Sequence, residues 1–449
     1  MRARLVLVAA TLAVASLLAA PPASAAHPVL CTGFADCAER GFRTHGYAEA
    51  MNTSWWRQTS GHNCTNYVAH RLISTNGMST TKPWSTFGNA ETWGVANAHL
   101  TDDRPALGAV AWWDGTSGGP AGSSGHLGYV EKIVSDDEIW VSESNFGGTF
   151  HWRKVTRGGT SWPTGFIHFA DLPENADQPT APQGRSVDTG LELTWQPPAT
   201  GPVTGYAVEW SPSAGGPTRR TEVDEPAALL ADLGLGVRHD VAVTVLGVDG
   251  APLPSGFEVS VTGVDFTDVS VFHVFAPEIM WLRSTGITTG YADGGFRPTQ
   301  PVLREQMAAF LFRRAAVADF VPPETSPFTD VSTTDPFYRE ITWLAGQGIT
   351  TGYDEPDGTV TFRPSEPVLR EQMAAFLHRV HLGTDPAAPS AAPFADVPVD
   401  HVFAGEIAWL EGAGITTGYL EPDDTRTFRG SQPVLREQMA AFLFRFRTF

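Results

Sequence analysis

The sequence is poor in lysine, and its charge is strongly of one sign. Only three of its 449 residues are lysines, Lys82, Lys132 and Lys154, and the formal net charge is −19. Thirty basic side chains against 49 acidic ones do not provide the cationic surface that a polyphosphate backbone needs, which argues against nucleic acid as a partner. An anionic cell envelope would also repel this chain on average. Attachment to such an envelope therefore requires a specific binding site rather than a charged patch.

Long apolar runs are also scarce, and the longest lies at the start of the chain. After the basic Met-Arg-Ala-Arg, an apolar run extends from Leu5 to Ala20, and Ala-Ser-Ala follows at positions 23–25. A basic start, a short apolar core and a small-residue cleavage site predict a secretory signal peptide over residues 1–25. An uncleaved anchor is the weaker alternative because the run is short. No later stretch is apolar enough to span a bilayer, so we expect an exported, soluble protein.

Cysteine is nearly absent, and the three that occur do not all pair. Cys31 and Cys37, with five residues between them, could close a small disulfide loop in an exported protein. Cys64 is then a free thiol. Most single cysteines are inert and buried. A chemical role for Cys64 therefore depends on the residues around it.

A helix is predicted to begin at Cys64. Gly61 precedes the cysteine, Val68 and Leu72 follow at helical spacing, and the Asn-Gly pair at 76–77 is a typical helix end. Unpaired backbone amides and the macrodipole at a helix start lower the pKa of a thiol. Cys64 is thus a candidate nucleophile. Its own backbone amide is a better candidate oxyanion donor than the side chain of Gln58, six residues earlier.

Three strand-like segments follow this helix. They cover residues 108–113, 126–133 and 139–145, with a turn expected at the Asp-Asp pair between the last two. Glu143 and Asn145 are two residues apart, so we expect both side chains on one face. If His126 begins the neighbouring antiparallel strand, it can meet either of them. A thiol, an imidazole and a polar group that orients the imidazole are the parts of a cysteine-nucleophile hydrolase.

Three motifs resemble those of the CHAP family, in that family's order. They are Gly-His-Asn-Cys-Thr-Asn-Tyr-Val-Ala at 61–69, Gly-His-Leu-Gly-Tyr-Val-Glu at 125–131 and Ser-Glu-Ser-Asn at 142–145. The family comprises papain-like amidases and peptidases that cut bacterial peptidoglycan. The resemblance covers about residues 40–170 and implies an α+β papain-like domain, which we place at 26–170.

The same resemblance implies roles for four residues. Cys64 would be the nucleophile, His126 the general base and then acid, and Glu143 with Asn145 would orient the imidazolium. Some relatives carry an Asp-rich calcium loop ahead of the cysteine, and the sequence shows none. We therefore expect no metal and no cofactor.

The middle of the chain changes to short alternating segments broken by Gly and Pro. After a polar linker at 171–178, residues 179–263 are typical of an all-β sandwich. The segments at 191–195, 205–210 and 240–245 resemble strands of a fibronectin type III domain. His239 departs from that family, which usually has a tyrosine at this position.

The last third consists of three repeats. Each opens on Phe-Thr-Asp-Val or Phe-Ala-Asp-Val and continues through Gly-Ile-Thr-Thr-Gly-Tyr and Pro-Val-Leu-Arg-Glu-Gln-Met-Ala-Ala-Phe-Leu. Apolar residues at helical spacing predict two helices per repeat. One such unit cannot bury its apolar faces alone, so we expect the three to pack around a shared core. The repeats span residues 264–318, 326–383 and 392–449.

These repeats resemble S-layer homology (SLH) domains. That family forms a helix-rich pseudo-trimer and anchors exported proteins to secondary cell-wall polysaccharide, often bearing acidic pyruvyl groups. Arg304, Arg370 and Arg436 match the basic residue of the family's Thr-Arg-Ala-Glu motif, which implies a role in glycan binding. Guanidinium groups suit carboxylates. The sequence departs from the motif in having leucine where the family has threonine, at Leu303, Leu369 and Leu435.

We therefore expect a secreted, multidomain protein of the cell wall or S-layer. The preferred interpretation is a peptidoglycan hydrolase, either an N-acetylmuramoyl-L-alanine amidase or a peptide-crosslink endopeptidase. Two alternatives stay open. One is a non-catalytic S-layer or wall-binding structural protein, and the other is an amide hydrolase that acts on a substrate other than its own wall.

Overall fold

The structure is a computed structural model, and it describes residues 28–85, 88–116, 122–158, 161–247 and 250–449. The predicted signal peptide at 1–25 lies outside these residues. The chain divides into two compact units: one extends to Pro179 and includes Pro197–Gly205 and Val245–Ser255, and the other contains the remaining residues. Within the described ranges, no helix is both long and apolar enough to cross a membrane.

The first unit is built on a seven-stranded antiparallel sheet. The strand order is β1-β6-β5-β4-β3-β7-β2. The strands are β1 (Val29–Thr32), β2 (Thr101–Asp102), β3 (Val110–Trp113), β4 (His126–Ser135), β5 (Glu138–Phe146), β6 (Thr149–Thr156) and β7 (Gly165–Ile167). The described residues of this unit also form the α-helices α1 (Phe34–Glu39), α2 (Tyr47–Ala50), α3 (Cys64–Ser74) and α4 (Glu91–Ala96).

Helix α3 packs against β4 and β5, and its apolar face fills the core. Tyr67, Val68 and Leu72 are fully buried there with Phe150 and Trp152 of the sheet. The helix begins at Cys64 as predicted, and Gly77 adopts a left-handed φ of 74° shortly after its end. The three predicted strands are confirmed as β3, β4 and β5. The short pairing strands β1 and β2 were not predicted.

Residues 180–262 form two antiparallel sheets. Their orders are β11-β10-β13-β14 and β12-β9-β8. The strands are β8 (Thr180–Val187), β9 (Gly190–Gln196), β10 (Gly205–Pro212), β11 (Arg219–Val223), β12 (Ala227–Ala231), β13 (Arg238–Leu246) and β14 (Pro252–Thr262). Trp195 of one sheet packs edge-on against Tyr206 of the other, with ring centroids 5.0 Å apart. The three predicted strands in this region are confirmed, whereas membership of the fibronectin type III family stays a prediction.

Each C-terminal repeat contributes two helices. They are α5 (Ala276–Ser284), α6 (Arg304–Arg314), α7 (Tyr338–Gly346), α8 (Arg370–Leu382), α9 (Ala404–Gly412) and α10 (Arg436–Arg445). Small hairpins lie in the second and third repeats, formed by β15 (Tyr353–Asp354) with β16 (Val360–Thr361) and by β17 (Tyr419–Leu420) with β18 (Arg426–Thr427).

The three repeats close into a ring. Helix α6 packs on α7, α8 on α9, and α10 on α5, so every second helix joins the next repeat. At the centre the Val302 N–H donates to the Val434 carbonyl (2.8 Å), Val434 to Val368 (2.9 Å) and Val368 to Val302 (2.9 Å). The predicted shared core is therefore present, and its centre is a cycle of backbone hydrogen bonds.

Candidate functional site

The candidate nucleophile lies at the first position of α3. Asn63 caps the helix: its backbone is extended, and its Oδ1 accepts hydrogen bonds from the N–H groups of Thr65 and Asn66, both at 3.1 Å. The cap uses those two amides and not that of Cys64. The amide of Cys64 remains at the helix start beside its own thiol, where a helix has no internal acceptor for it.

His126 links Cys64 to Glu143. The His126 Nε2 lies 2.9 Å from the Oε2 of Glu143, and both side chains are buried. His126 also lines one cleft with Cys64, and its hydrogen bonding and charge lower the pKa of that thiol. Because Nε2 faces Glu143, the nitrogen that faces the thiol is Nδ1. The first residue of β4 thus stands between the start of a helix and a carboxylate of β5.

The electrostatics of this array favour a thiolate and an imidazolium. Burial alone raises the pKa of Cys64, but hydrogen bonding and attraction from His126 outweigh it, so the thiol pKa is lowered. Burial lowers the pKa of His126, whereas hydrogen bonds to Cys64 and Glu143 raise it, with a net pKa of about 9. Glu143 has a pKa of about 2, since Arg153 and His126 overcome the cost of burial. Between about pH 2 and about pH 9 the imidazolium of His126 therefore lies beside the carboxylate of Glu143 and favours the thiolate form of Cys64.

Arg153 is a member of the array that the sequence did not reveal. It lies on β6, where its Nε donates to Oε1 of Glu143 (2.5 Å) and its Nη2 to Oε2 (3.1 Å). Its guanidinium also lies 4.9 Å from the ring centroid of Trp113. Residues 149–156 also include His151 and Lys154, so the charge of Arg153 alone gave no signal. The strand itself was not predicted, so the inward direction of Arg153 was not recognised.

Asn145 does not share the environment of Glu143. A bulge interrupts the pairing of β5 and β6 between Ser144 and Phe146, and Asn145 has a φ of 71°. The bulge breaks the two-residue alternation on which the same-face prediction rested. Asn145 is exposed and lines the cleft in front of His126.

A polar cleft of about 560 Å³ opens over these residues. Cys64, His126 and Asn145 line it together with residues of the loop before α3 and of the turn before β4. Gln58 also lines the cleft, and its side-chain amide donates to the Trp56 carbonyl at 3.2 Å. That bond engages the amide considered for the oxyanion hole, so Cys64 N–H remains the better candidate.

A second buried ion pair fixes α3 against the sheet. Arg71 of α3 pairs with Glu131 of β4, and both are fully buried. Ser142 of β5 joins them through its hydroxyl, 2.6 Å from Glu131 Oε1 and 2.6 Å from the Tyr67 hydroxyl. Despite burial, Arg71 and His45 lower the pKa of Glu131 to about 2. This cluster locks the helix that carries Cys64 to the strands that carry His126 and Glu143.

Cys31 and Cys37 form the predicted disulfide, with Cα atoms 4.9 Å apart. The bond joins β1 to α1, and Cys64 remains a free thiol. The sheet edge at β1 is therefore tied covalently to the helix beside it.

The three repeat arginines are buried at the joints of the ring. Arg304, Arg370 and Arg436 are each 4% exposed. Each Nε donates to a carbonyl of the neighbouring repeat: to Phe362 at 2.7 Å, to Phe428 at 2.8 Å and to Phe296 at 2.7 Å, respectively. Burial lowers the pKa of all three. Within the described part of the chain, no carboxylate lies within 4 Å of these guanidinium groups.

Two of the arginines line separate grooves of about 270 Å³ each. Arg304 lines one with Tyr353 and Phe376, and Arg436 lines the other with Tyr291. Arg370 lies over the rings of three equivalent aromatic residues, Tyr419, Phe428 and Phe442. A buried cation without a carboxylate partner, at the wall of a groove, is suited to an anionic ligand.

The leucines that replace threonine begin the second helices without a side-chain cap. Gln306, Gln372 and Gln438 supply part of the missing bond, because each Oε1 accepts from the N–H of the leucine three residues earlier. The glutamines thus supply one of the two hydrogen bonds of a capping box, and the bond that a threonine side chain would accept is not replaced.

Several proteins of known name resemble parts of this chain. N-acetylmuramoyl-L-alanine amidase sle1 of Staphylococcus aureus (strain USA300) is 30% identical over 118 residues, 26% of this chain and 30% of that protein. Cell surface glycoprotein 1 of Acetivibrio thermocellus is 30% identical over 167 residues, 35% of this chain and 7% of that protein. A cell surface protein of Thermoanaerobacter kivui is 34% identical over 98 residues, 21% of this chain and 12% of that protein. The chain thus spans less than a third of the length of each.

The similarity of this chain to solved structures is weak. The fn3 domain of the human collagen alpha-1(XX) chain matches 22% of this chain and 97% of its own length at 19% identity, with a TM-score of only 0.19. Family models are more informative. The CHAP domain matches residues 53–145, and the S-layer homology domain matches residues 265–308, 327–374 and 393–440. The chain therefore carries a CHAP domain followed by three S-layer homology repeats.

Proposed function

We propose that this chain is a secreted peptidoglycan hydrolase, held at the cell wall by its three repeats, that cleaves an amide bond with a cysteine nucleophile. The contact of His126 with both Cys64 and Glu143 at the wall of a polar cleft carries the proposal. The name of the S. aureus relative, an amidase, supports amide chemistry. The bond is either the muramoyl–alanine amide or a peptide crosslink.

The first half of the reaction forms an acyl-enzyme. The Cys64 thiolate attacks the carbonyl carbon, and the amide N–H of Cys64 donates to the developing oxyanion. The protonated Nδ1 of His126 then gives its proton to the departing nitrogen as the C–N bond breaks. A thioester on Cys64 and a free amine result.

The second half releases the acyl group. Neutral His126 takes a proton from water, the hydroxide attacks the thioester carbonyl, and the C–S bond breaks to give a carboxylic acid and the Cys64 thiolate. Glu143 accepts the hydrogen bond of Nε2–H throughout and so fixes the orientation of the ring. Asn145 lines the cleft beside the reacting atoms, where its exposed amide can contact the substrate.

Anchoring is assigned to the grooves between repeats. Arg304, Arg370 and Arg436 would bind carboxylates of a secondary cell-wall polysaccharide. They would do so through the guanidinium nitrogens that do not donate to carbonyls of the neighbouring repeat. Each groove adds aromatic side chains against which sugar rings can pack. A specific site of this kind resolves the repulsion expected between a chain of charge −19 and an anionic wall.

The hydrolase is tested by analysing fragments released from purified walls. The wild type should release soluble muropeptides with new amine termini, and Cys64→Ala should release none. Equal release by both proteins, or none by either, would refute the catalytic assignment and leave the non-catalytic wall-binding protein as the better description.

The anchor is tested by sedimentation of the full-length Cys64→Ala protein with walls before and after removal of the secondary polymer. Binding should depend on that polymer. Equal binding to stripped walls would refute polysaccharide recognition without affecting the catalytic proposal.

A further inference from the structure

The cleft in front of Cys64 and His126 contains one permanent cation. Of the fourteen described residues that line it, Arg57 is the only arginine or lysine, and none is aspartate or glutamate. The chain as a whole has a charge of −19. The charge at the mouth of the cleft is therefore opposite in sign to the net charge of the chain, and it would attract an anionic group.

The backbone holds Arg57 in a conformation that is unfavourable for its residue type. Trp56 and Arg57 have φ values of 49° and 61°, so two consecutive residues other than glycine lie in the left-handed region. Such a conformation persists only where surrounding structure enforces it, and these cases concentrate at functional sites.

Trp56 is the anchor that enforces this turn. Its side chain is 3% exposed, its Nε1 donates to the Ser79 carbonyl at 2.8 Å, and its ring packs edge-on against Trp84. With Trp56 fixed in the core, the turn places Arg57 at the cleft wall, where its side chain is exposed.

The described residues do not engage the guanidinium group of Arg57. Within the described ranges it has no ion pair, hydrogen bond or ring contact, in contrast to the paired arginines Arg71 and Arg153 of the same unit. An exposed cation at the wall of a reactive cleft, on a strained turn and without an internal partner, is available to a ligand.

We propose that Arg57 determines specificity by binding a carboxylate of the substrate peptide. The inference rests on the proposed hydrolase function and adds the charge of the preferred substrate. Peptidoglycan stem peptides carry free carboxylates close to their amide bonds, and the planar guanidinium matches a carboxylate with two parallel hydrogen bonds. Stem peptides whose carboxylates are amidated lack that partner and are poorer substrates.

The test compares two forms of one substrate. Soluble cross-linked muropeptides with free carboxylates are assayed beside the same muropeptides after carbodiimide coupling to ammonia, and kcat/KM is measured from released amine. The wild type should prefer the carboxylate form by about 10- to 100-fold, the range expected for a charge-assisted hydrogen-bonded pair. Arg57→Gln should lower kcat/KM on the carboxylate form until the preference is about 1.

Two further variants make the result decisive. Arg57→Gly relieves the left-handed backbone, so it should lose the preference while its melting temperature is at least that of the wild type. Arg104→Gln removes another exposed arginine, one that does not line the cleft, and it should retain the full preference.

Equal wild-type rates on both forms, an unchanged preference in both Arg57 variants, or an equal loss in Arg104→Gln would overturn the inference while the hydrolase stands. Failure of the wild type to cleave either form would refute the hydrolase, and the inference with it.

Discussion

In the proposed reaction, the positions of the protons among Cys64, His126 and Glu143 decide whether the site is active. A pKa of about 9 keeps His126 an imidazolium at neutral pH, and its charge and hydrogen bonding lower the pKa of Cys64, which favours the thiolate. In the proposed mechanism the thiolate is the attacking group and the imidazolium is the acid for the leaving amine. Activity should therefore be lost when either partner changes its protonation state.

The first prediction concerns the pH dependence of kcat/KM. We expect a bell-shaped profile whose acidic limb lies below the ordinary thiol pKa of 9.0 and whose basic limb lies near pH 9, where His126 loses its proton. Glu143→Gln removes a charge that raises the pKa of His126, so its basic limb should move to lower pH. Rates measured from pH 5 to pH 10 would show this, and an unmoved limb would contradict the role of Glu143.

The second prediction concerns Arg153. Arg153→Met leaves Glu143 buried with less compensation, which should lower the free energy of unfolding by about 3–5 kcal/mol and reduce kcat. The double variant Arg153→Met/Glu143→Gln removes the uncompensated charge, so part of the stability should return while kcat stays low. Urea unfolding and initial rates separate the two effects. Recovery of both together would mean that Arg153 acts on stability alone.

Individual residues that stand in a local sequence motif were predictable, whereas residues whose role depends on the pairing of distant strands were not. Cys64, His126 and Glu143 each stand in a recognisable motif. Arg153 contributes only because β6 lies beside β5, a long-range relation that a linear pattern does not contain. The position of Asn145 depends on a bulge, and one inserted residue reverses the face of every residue after it.

Helix α3 is the element on which the chemistry depends. Its cap, Asn63, and its buried pair of Arg71 with Glu131 act at the start of the helix and along its length. An asparagine directly before a helix start is a local signal of a cap, whereas the buried pair is not predictable from the linear pattern of residues. A buried ion pair is recognisable only when the helix and the sheet are seen together.

The third prediction separates capping from charge at Asn63. Asn63→Ala removes the acceptor for two amides and should lower the free energy of unfolding by about 1 kcal/mol. Asn63→Asp keeps the acceptor but places a negative charge beside the thiol, so stability should be retained while the pKa of Cys64 rises. Urea unfolding and the pH dependence of thiol alkylation measure the two quantities. An unchanged alkylation profile in Asn63→Asp would contradict the electrostatic argument.

The fourth prediction concerns acid stability. Glu131 and Glu143 have pKa values of about 2 in the folded chain, against an ordinary 4.5, so the unfolded state binds their protons first. The stability they contribute is fully present above pH 4.5 and should be lost as the pH falls from 4.5 towards 2. Acid titration followed by circular dichroism measures this.

A matched pair of variants identifies the source of that loss. Glu131→Gln should flatten the dependence of unfolding free energy on pH in this window, whereas the exposed Glu174→Gln should not. Equal slopes in the two variants would contradict the assignment.

Across the whole molecule, the three C-terminal repeats were the part whose structure was most predictable from the sequence. Segments that recur three times with nearly the same residues indicate the helices, their ends and a shared core from the linear pattern alone. The buried state of Arg304, Arg370 and Arg436 was not predictable, because each arginine is enclosed by the repeat that follows it.

The fifth prediction concerns wall attachment. Arg304→Lys, Arg370→Lys and Arg436→Lys keep the charge but remove the planar fork, so combining the three should weaken wall binding by at least about 10-fold. Binding by the wild type should also fall as salt is raised. Sedimentation measures affinity, and melting temperatures confirm the fold. Unchanged binding by a folded triple variant would show that these arginines serve only the ring.

The cyclic hydrogen bonds among Val302, Val368 and Val434 limit how this architecture can evolve. An open solenoid can gain or lose copies at its ends, because every added copy finds a free face. A closed ring has no free face, so a fourth copy has no place in it. Loss of one copy would expose the two faces that it covered. Expansion of such a protein must therefore proceed by adding whole sets of three, or by lengthening the modules outside the ring.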